Sequence, residues 1–170
     1  VDGDTPTIQA GAIRYSSSGS ALSFSSLINS YVIVPDDDTL DFLDSFGICY
    51  WINHKANYPD GKYIFRKASA YQEYIGTAGD TYPTIYGIEG SDSRLPHLYQ
   101  SINNWVHYCV TYSGATSSLL KYKNGVLVSS NTSAIDFINQ NSNNLYLGQR
   151  IISDMDEIAL FDKLLTQEDV

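Results

Sequence analysis

Residues Asn104 to Val128 read NWVHYCVTYSGATSSLLKYKNGVLV. Val106, Tyr108, Val110 and Tyr112 alternate with His107, Cys109 and Thr111, the period of two that gives a strand two different faces. Ser113-Gly114-Ala115 interrupts the run, after which Leu120 and Tyr122 alternate with Lys121 and Lys123. Asn124-Gly125 follows, then Val126-Leu127-Val128. Asn-Gly between two strand-like runs is the strongest short hairpin signal, because both turn residues must take positive φ. The stretch sets the class as antiparallel β, and nothing in it looks like reaction chemistry.

The rest of the chain repeats the pattern. Thr7–Tyr15, Ala21–Ser25, Tyr31–Val34, Lys62–Lys67, Glu73–Thr77, Thr81–Ile88, Leu98–Ile102, Asn144–Leu147 and Met155–Phe161 all read as short strands. Pro83 puts its strand at a sheet edge, because proline cannot donate to a ladder. Phe46–Asn53 is apolar on both faces and reads as a central strand. Pro59-Asp60-Gly61 carries turn residues. About a dozen short strands separated by turn signals give an all-β, two-sheet sandwich or jelly roll. At the end, Thr166 reads as a helix N-cap followed by acidic residues, and a helix does not complete in the residues that remain. With a first residue other than Met, this leads us to expect a single domain over residues 1–170, excised from a longer chain.

Composition narrows the function. The chain has 14 Tyr against 6 Phe and 2 Trp, and only 17% charged residues, so solubility rests largely on Ser, Asn, Thr and Tyr hydroxyls. That balance fits an extracellular, cell-surface or virion-surface protein. A net charge of −9 argues against nucleic acid and anionic membrane as partners and is compatible with a divalent cation or a neutral glycan. Cys49 and Cys109 each sit inside a strand-like run. Their spacing excludes a CxxC or contiguous zinc motif and leaves open whether they are joined. No apolar run is long enough to span a membrane.

Five blocks in order then carry a resemblance. Ala21-Leu22-Ser23-Phe24 with Ser30 to Pro35 and Phe46 to Ile52, Asn104 to Tyr112, Leu120 to Val128, Leu145-Tyr146-Leu147-Gly148, and Met155 to Thr166 resemble successive strands of laminin-G-like domains, members of the concanavalin A-like jelly-roll superfamily. The resemblance runs from about Ala21 to Val170. It implies two curved antiparallel sheets packed face to face. It also implies a non-catalytic recognition or adhesion module that binds a glycan or protein and sits beside neighbouring domains of the same polypeptide. Two departures stand out: Leu27-Ile28-Asn29-Ser30 replaces an acidic segment, and Asp154 stands where the family has Gly.

Candidate site residues follow. Tyr71, Tyr74, Tyr82 and Tyr86 lie around turns in the middle of the chain, and aromatic platforms bind the flat C–H faces of sugars beside a few placed polar groups. Asp154 and Asp156 are two apart on one strand face and present oxygens suited to a structural calcium ion. Asp36, Asp37, Asp38 and Asp41 form the densest acidic run and read as a solvated loop with a weaker calcium reading. Glycoside hydrolases of the superfamily carry Glu-x-Asp-x-x-Glu, and Asp154-Met155-Asp156-Glu157 lacks the third acid. No catalytic residues are assigned. Trp51 and Trp105 read as fold residues, His107 as a packing residue, and Asn131-Thr132-Ser133 as a glycosylation sequon. The alternative is a structural or assembly module that packs against partner domains or subunits without binding sugar.

Overall fold

A computed structural model of the chain describes residues 7–8, 14–15, 21–25, 30–56, 62–75, 80–87, 92–96, 98–99, 101–132 and 135–170. For Thr7, Ile8, Arg14, Tyr15, Asp80, Tyr82, Leu98 and Tyr99 only the strand placement is described. In chain order the strands are β1 (Thr7–Ile8), β2 (Arg14–Tyr15), β3 (Leu22–Phe24), β4 (Val32–Val34), β5 (Ser45–His54), β6 (Lys62–Lys67), β7 (Tyr71–Ile75), β8 (Asp80–Tyr86), β9 (Asp92–Arg94), β10 (Leu98–Tyr99), β11 (Trp105–Ser113), β12 (Ser118–Lys123), β13 (Val126–Asn131), β14 (Leu145–Gln149) and β15 (Ser153–Phe161). The first sheet runs β1-β4-β14-β6-β7-β8-β10, with β9 also on β8, and the second runs β13-β12-β11-β5-β15-β3-β2. Among the described residues every strand pairing is antiparallel. The fold is the antiparallel two-sheet jelly-roll sandwich that the strand pattern predicts.

The core lies between the sheets. From the second sheet come Phe46, Ile48, Tyr50 and Ile52 of β5 and Val106, Tyr108, Val110 and Tyr112 of β11; from the first come Ile64, Phe65, Tyr71, Ile75, Ile85, Leu145 and Leu147. Alternate residues of each strand share a face, so the period of two read from Val106 to Tyr112 is the inward face itself. Aromatic rings join the sheets: Phe46 and Tyr71 lie 5.2 Å apart and Tyr50 and Phe65 6.2 Å apart. Each such ring contributes roughly 1.5–3 kcal/mol by leaving water.

A charged pair sits inside this apolar space. Lys121 and Glu73 are both fully buried and in contact through Nζ and Oε1. Lys121 Nζ also donates to Thr81 Oγ1 (2.8 Å) and lies 4.5 Å from the Tyr108 ring centre, while Tyr50 donates its hydroxyl proton to Glu73 Oε2 (2.5 Å). Burial pushes the Lys121 pKa down, and the Glu73 carboxylate opposes that shift. Burial pushes the Tyr50 hydroxyl well up, with the Glu73 charge adding to it. A second buried cation, Lys67, is held by Asp36, by Asp41 Oδ1 at 3.2 Å and by the Asn143 carbonyl at 2.9 Å. The acidic run that reads as a solvated loop therefore neutralises a lysine. Its neighbour Asp37 caps a 3-10 turn, Asp38–Leu40, by accepting from Thr39 N and Oγ1 at 2.9 and 2.7 Å. Those bonds hold the Asp37 carboxyl below its usual pKa.

The structure corrects several sequence expectations. Thr7–Tyr15 is not one strand but two short ones in different sheets. Strand β8 is not an edge: β7 flanks one side, and β10 and β9 share the other, pairing with 80–81 and 84–86. Pro83 falls in the gap between them. Its carbonyl accepts from Leu95 N on that side, so the missing N–H points where no ladder bond is needed. The chain after Thr166 makes one hydrogen-bonded turn, in which Thr166 N and Oγ1 donate to Asp169 Oδ2 at 2.8 and 2.9 Å. These bonds, the backbone one first, hold the Asp169 carboxyl down to about 2. Asn124 (φ 49°) and Gly125 (φ 77°) form the expected hairpin turn. The expected turn at Pro59-Asp60-Gly61 and the sequon residue Ser133 lie outside the described residues.

Candidate functional site

Strand alternation divides β7 between two environments. Tyr71, Glu73 and Ile75 point inward, so Gln72 and Tyr74 point outward. In β8, Thr81, Pro83 and Ile85 take the inward positions, which leaves 82, 84 and 86 on the outer face. Register then builds two rows across the outer face of the first sheet. Tyr63, Tyr74 and Tyr82 stand opposite one another in β6, β7 and β8. Beside them run Tyr146, Arg66, Gln72, Thr84 and Arg94, from β14 to β9. Tyr63 and Tyr74 meet edge to face at 5.3 Å, and Tyr31 meets Tyr146 in the same way at 5.4 Å. Tyr86 stands opposite Asp92 at the end of the face, and burial raises its pKa.

Arg66 is the charged centre of this face. Its guanidinium lies 4.6 Å from the Tyr63 ring centre. Among the described residues no carboxylate pairs with it, although the chain has 19 acidic residues against 10 basic ones. Among the described residues its Nε, the Thr84 hydroxyl and Gln149 Oε1 have no hydrogen-bond partner. Arg94, by contrast, is paired with Asp92 at 2.6 Å.

The structure thus brings together three of the four tyrosines singled out from sequence, at the level of strand face for Tyr82. Tyr71 is separated from them. It is 1% exposed, lies 5.6 Å from Phe42 and 5.2 Å from Phe46, and donates its hydroxyl proton to the Leu40 carbonyl at 3.1 Å. It is a core residue with no surface to offer a ligand. The reason is parity: 71 and 74 are an odd number of residues apart on one strand, so they cannot share a face. Tyr63, Arg66 and Gln72 share this face and were not among the residues preferred from sequence, although Tyr63 and Arg66 belong to a strand legible in the sequence.

The outer face of the second sheet is different. Trp51 stands opposite His107 with their rings 5.2 Å apart. Trp51, Trp105, His107, Asn124, Gly125 and Val170 line an open groove of about 460 Å³. Burial lowers the His107 pKa, with the Glu157 charge opposing it. The two tryptophans read from sequence as fold residues therefore reach the surface, Trp105 with 43% of its area exposed. Cys49 and Cys109 are directly opposite in β5 and β11 and form a disulfide. Tyr122 and Leu165 cover its far side.

The acidic block of β15 is already engaged. Asp154 pairs with Lys55 at 3.0 Å, and Asp156 Oδ1 accepts from Glu157 N at 2.9 Å. A bulge between Asp156 and Ala159, with Glu157 at φ 48°, bends the strand there. Among the described residues no third His, Cys, Asp or Glu ligand atom gathers with these two. Among the described residues no helix is long and apolar enough to cross a membrane.

The family model for the concanavalin A-like lectin/glucanases superfamily matches residues 25–170. No curated protein matches the chain. Among solved structures, the chain is similar to the binding domain of Paraclostridial Mosquitocidal Protein 1, with a TM-score of 0.80 and 14% identity over 97% of this chain and 45% of that one. It is also similar to the binding domain of Botulinum Neurotoxin DC solved in complex with SialylT (TM-score 0.64, 20% identity, 82% and 38% covered). A third is the Botulinum Neurotoxin serotype G binding domain (0.72, 15%, 98% and 44%). The chain spans less than half the length of each, and at these identities the likeness is one of fold.

Proposed function

The chain belongs to the concanavalin A-like lectin/glucanases superfamily, and from that premise we propose that it is a non-catalytic recognition module of an extracellular or surface protein, binding a glycan on the outer face of the first sheet. The observation that carries this reading is the tyrosine row at 63, 74 and 82 beside Arg66 and Gln72. A sugar ring lays its C–H face on Tyr63 and Tyr74, while Arg66 hydrogen-bonds its polar rim. A guanidinium with no described carboxylate partner also suits an acidic sugar, because it grips a carboxylate with two parallel bonds. The disulfide fits an oxidising, extracellular setting. That the neighbours in fold are binding domains of toxins, one of them in complex with SialylT, supports a binding role. Calcium at Asp154 and Asp156 belongs to the same proposal as a structural ion, one that would have to displace Lys55.

The test is a glycan array probed with the wild-type chain and with Tyr74→Ala. Wild-type signal on a restricted set of glycans, lost in the variant at unchanged melting temperature, is expected. A blank array at high protein concentration contradicts the reading. One observation favours the assembly alternative: Val126, Leu127 and Val128 are exposed on the edge strand β13, where an unpaired ladder accepts a partner strand. Sedimentation showing self-association that Val126→Lys and Val128→Lys abolish, with a blank array, would select it.

A further inference from the structure

Sequence spacing gives no contiguous zinc motif, yet strand register assembles a set of metal-ligand types from two strands. Cys49 of β5 stands opposite Cys109 of β11, and His107 lies two residues before Cys109 on the same face. His107 Nε2 is 3.8 Å from Cys109 Sγ. The three ligand atoms all lie within 4.8 Å of one another, the only such group of three among the described residues.

We propose that the disulfide masks a metal site: once a dithiol reductant opens it, Cys49, Cys109 and His107 bind a thiophilic divalent cation such as Zn²⁺. In tetrahedral zinc sites the Zn–S and Zn–N bonds are about 2.3 and 2.0–2.1 Å, which sets an S···N edge of about 3.6 Å and an S···S edge of about 3.8 Å. The observed 3.8 Å between His107 and Cys109 already matches the first edge. The Cα atoms of the two cysteines are 4.1 Å apart, so side-chain rotation alone spreads the freed sulfurs to the second. The groove lined by Trp51, Trp105 and His107 provides an entry path and room for a water as fourth ligand. Tyr122 and Leu165 pack against the two cysteines.

The step balances. The reducing dithiol passes two electrons and two protons to the disulfide and becomes a disulfide itself, and metal binding then releases the two thiol protons to solvent. The β5–β11 ladder continues for nine residue pairs around the bridge, and a domain of this length buries roughly 70% of its unfolded surface, so reduction leaves the sheet in place. This inference concerns the face opposite the proposed glycan site and does not depend on it.

The test titrates Co²⁺, as a spectroscopic probe, into the whole chain reduced with a phosphine. One equivalent is expected to bind, with thiolate-to-cobalt charge-transfer and tetrahedral d–d absorption, and Zn²⁺ is expected to displace it and to slow iodoacetamide labelling of both cysteines. The oxidised chain and the Cys49→Ser/Cys109→Ser double variant are expected to give no such bands. His107→Ala is expected to weaken binding by roughly tenfold or more, the scale already found for residues one layer out from a metal. Three results overturn the proposal: no thiolate–cobalt band in the reduced chain, unchanged affinity in His107→Ala, or loss of the near-ultraviolet circular dichroism of the fold on reduction.

Discussion

Two tyrosine-rich regions lie back to back across the first sheet, and each surrounds a cation. In the interior, Tyr50, Tyr71, Tyr108 and Tyr112 are buried, and Lys121 is neutralised by Glu73 from the opposite sheet. On the outer face, Tyr63, Tyr74 and Tyr86 are half-buried, and Arg66 has no carboxylate partner among the described residues. The interior satisfies its charge internally because an unpaired buried charge costs several kcal/mol. The outer face leaves its charge available beside aromatic rings. The same residue type thus serves cohesion on one face and, in the function we propose, recognition on the other, and one step along β7, from Glu73 to Tyr74, crosses between them.

If that contrast is right, substitutions inside should cost stability and those outside should cost binding. The largest effect is expected from Lys121→Ala, which strands the Glu73 carboxylate in the core and should lower unfolding free energy by about 3–5 kcal/mol in chemical denaturation. Next comes alkaline pH. Burial pushes the Tyr112 hydroxyl up to about 12, and also raises Tyr71 and Tyr108. A folded-state pKa above the unfolded value of about 10 means that the unfolded chain loses its proton first. Stability should therefore hold below pH 10 and fall as pH rises from there. Tyr50→Phe removes the bond to Glu73 and should cost about 1–2 kcal/mol.

Outside the core the order reverses. Arg66→Gln and Tyr74→Ala should change stability by only about 0.5 kcal/mol while reducing glycan binding about tenfold, equivalent to about 1.4 kcal/mol. The smallest expected effect is that of calcium. Asp154 is already paired with Lys55, so melts with calcium and with a chelator should differ by no more than a few degrees.

Much of the fold was legible from residues that behave locally. Asn124-Gly125 could only turn, and the run from Phe46 to Asn53 could only be a strand buried on both sides. The identity of the inward face was not legible. Leu120 and Tyr122 alternate with Lys121 and Lys123, which announces two faces without ranking them. Lys121 turns inward because Glu73, 48 residues away in sequence, waits in the opposite sheet. Tyr122 turns outward because Leu165, just before the last turn, covers it, packed so closely on Gly47 that a Cβ there would lie 2.5 Å from Leu165 Cγ. Of the candidate face, Tyr74, Tyr82 and Tyr86 were singled out because they lie around turns, and the odd spacing of Tyr71 from Tyr74 carried the signal that separates it from them. Arg66 could not be found from sequence, because what marks it is that no described carboxylate pairs with it in space.

The central claim is that recognition belongs to the outer face of the first sheet. A ¹H–¹⁵N NMR titration with the strongest array glycan tests it directly. The account predicts amide shifts concentrated at Tyr63, Arg66, Gln72, Tyr74 and Tyr86. Shifts concentrated instead at Trp51, Trp105 and His107 would move recognition to the other sheet and contradict it.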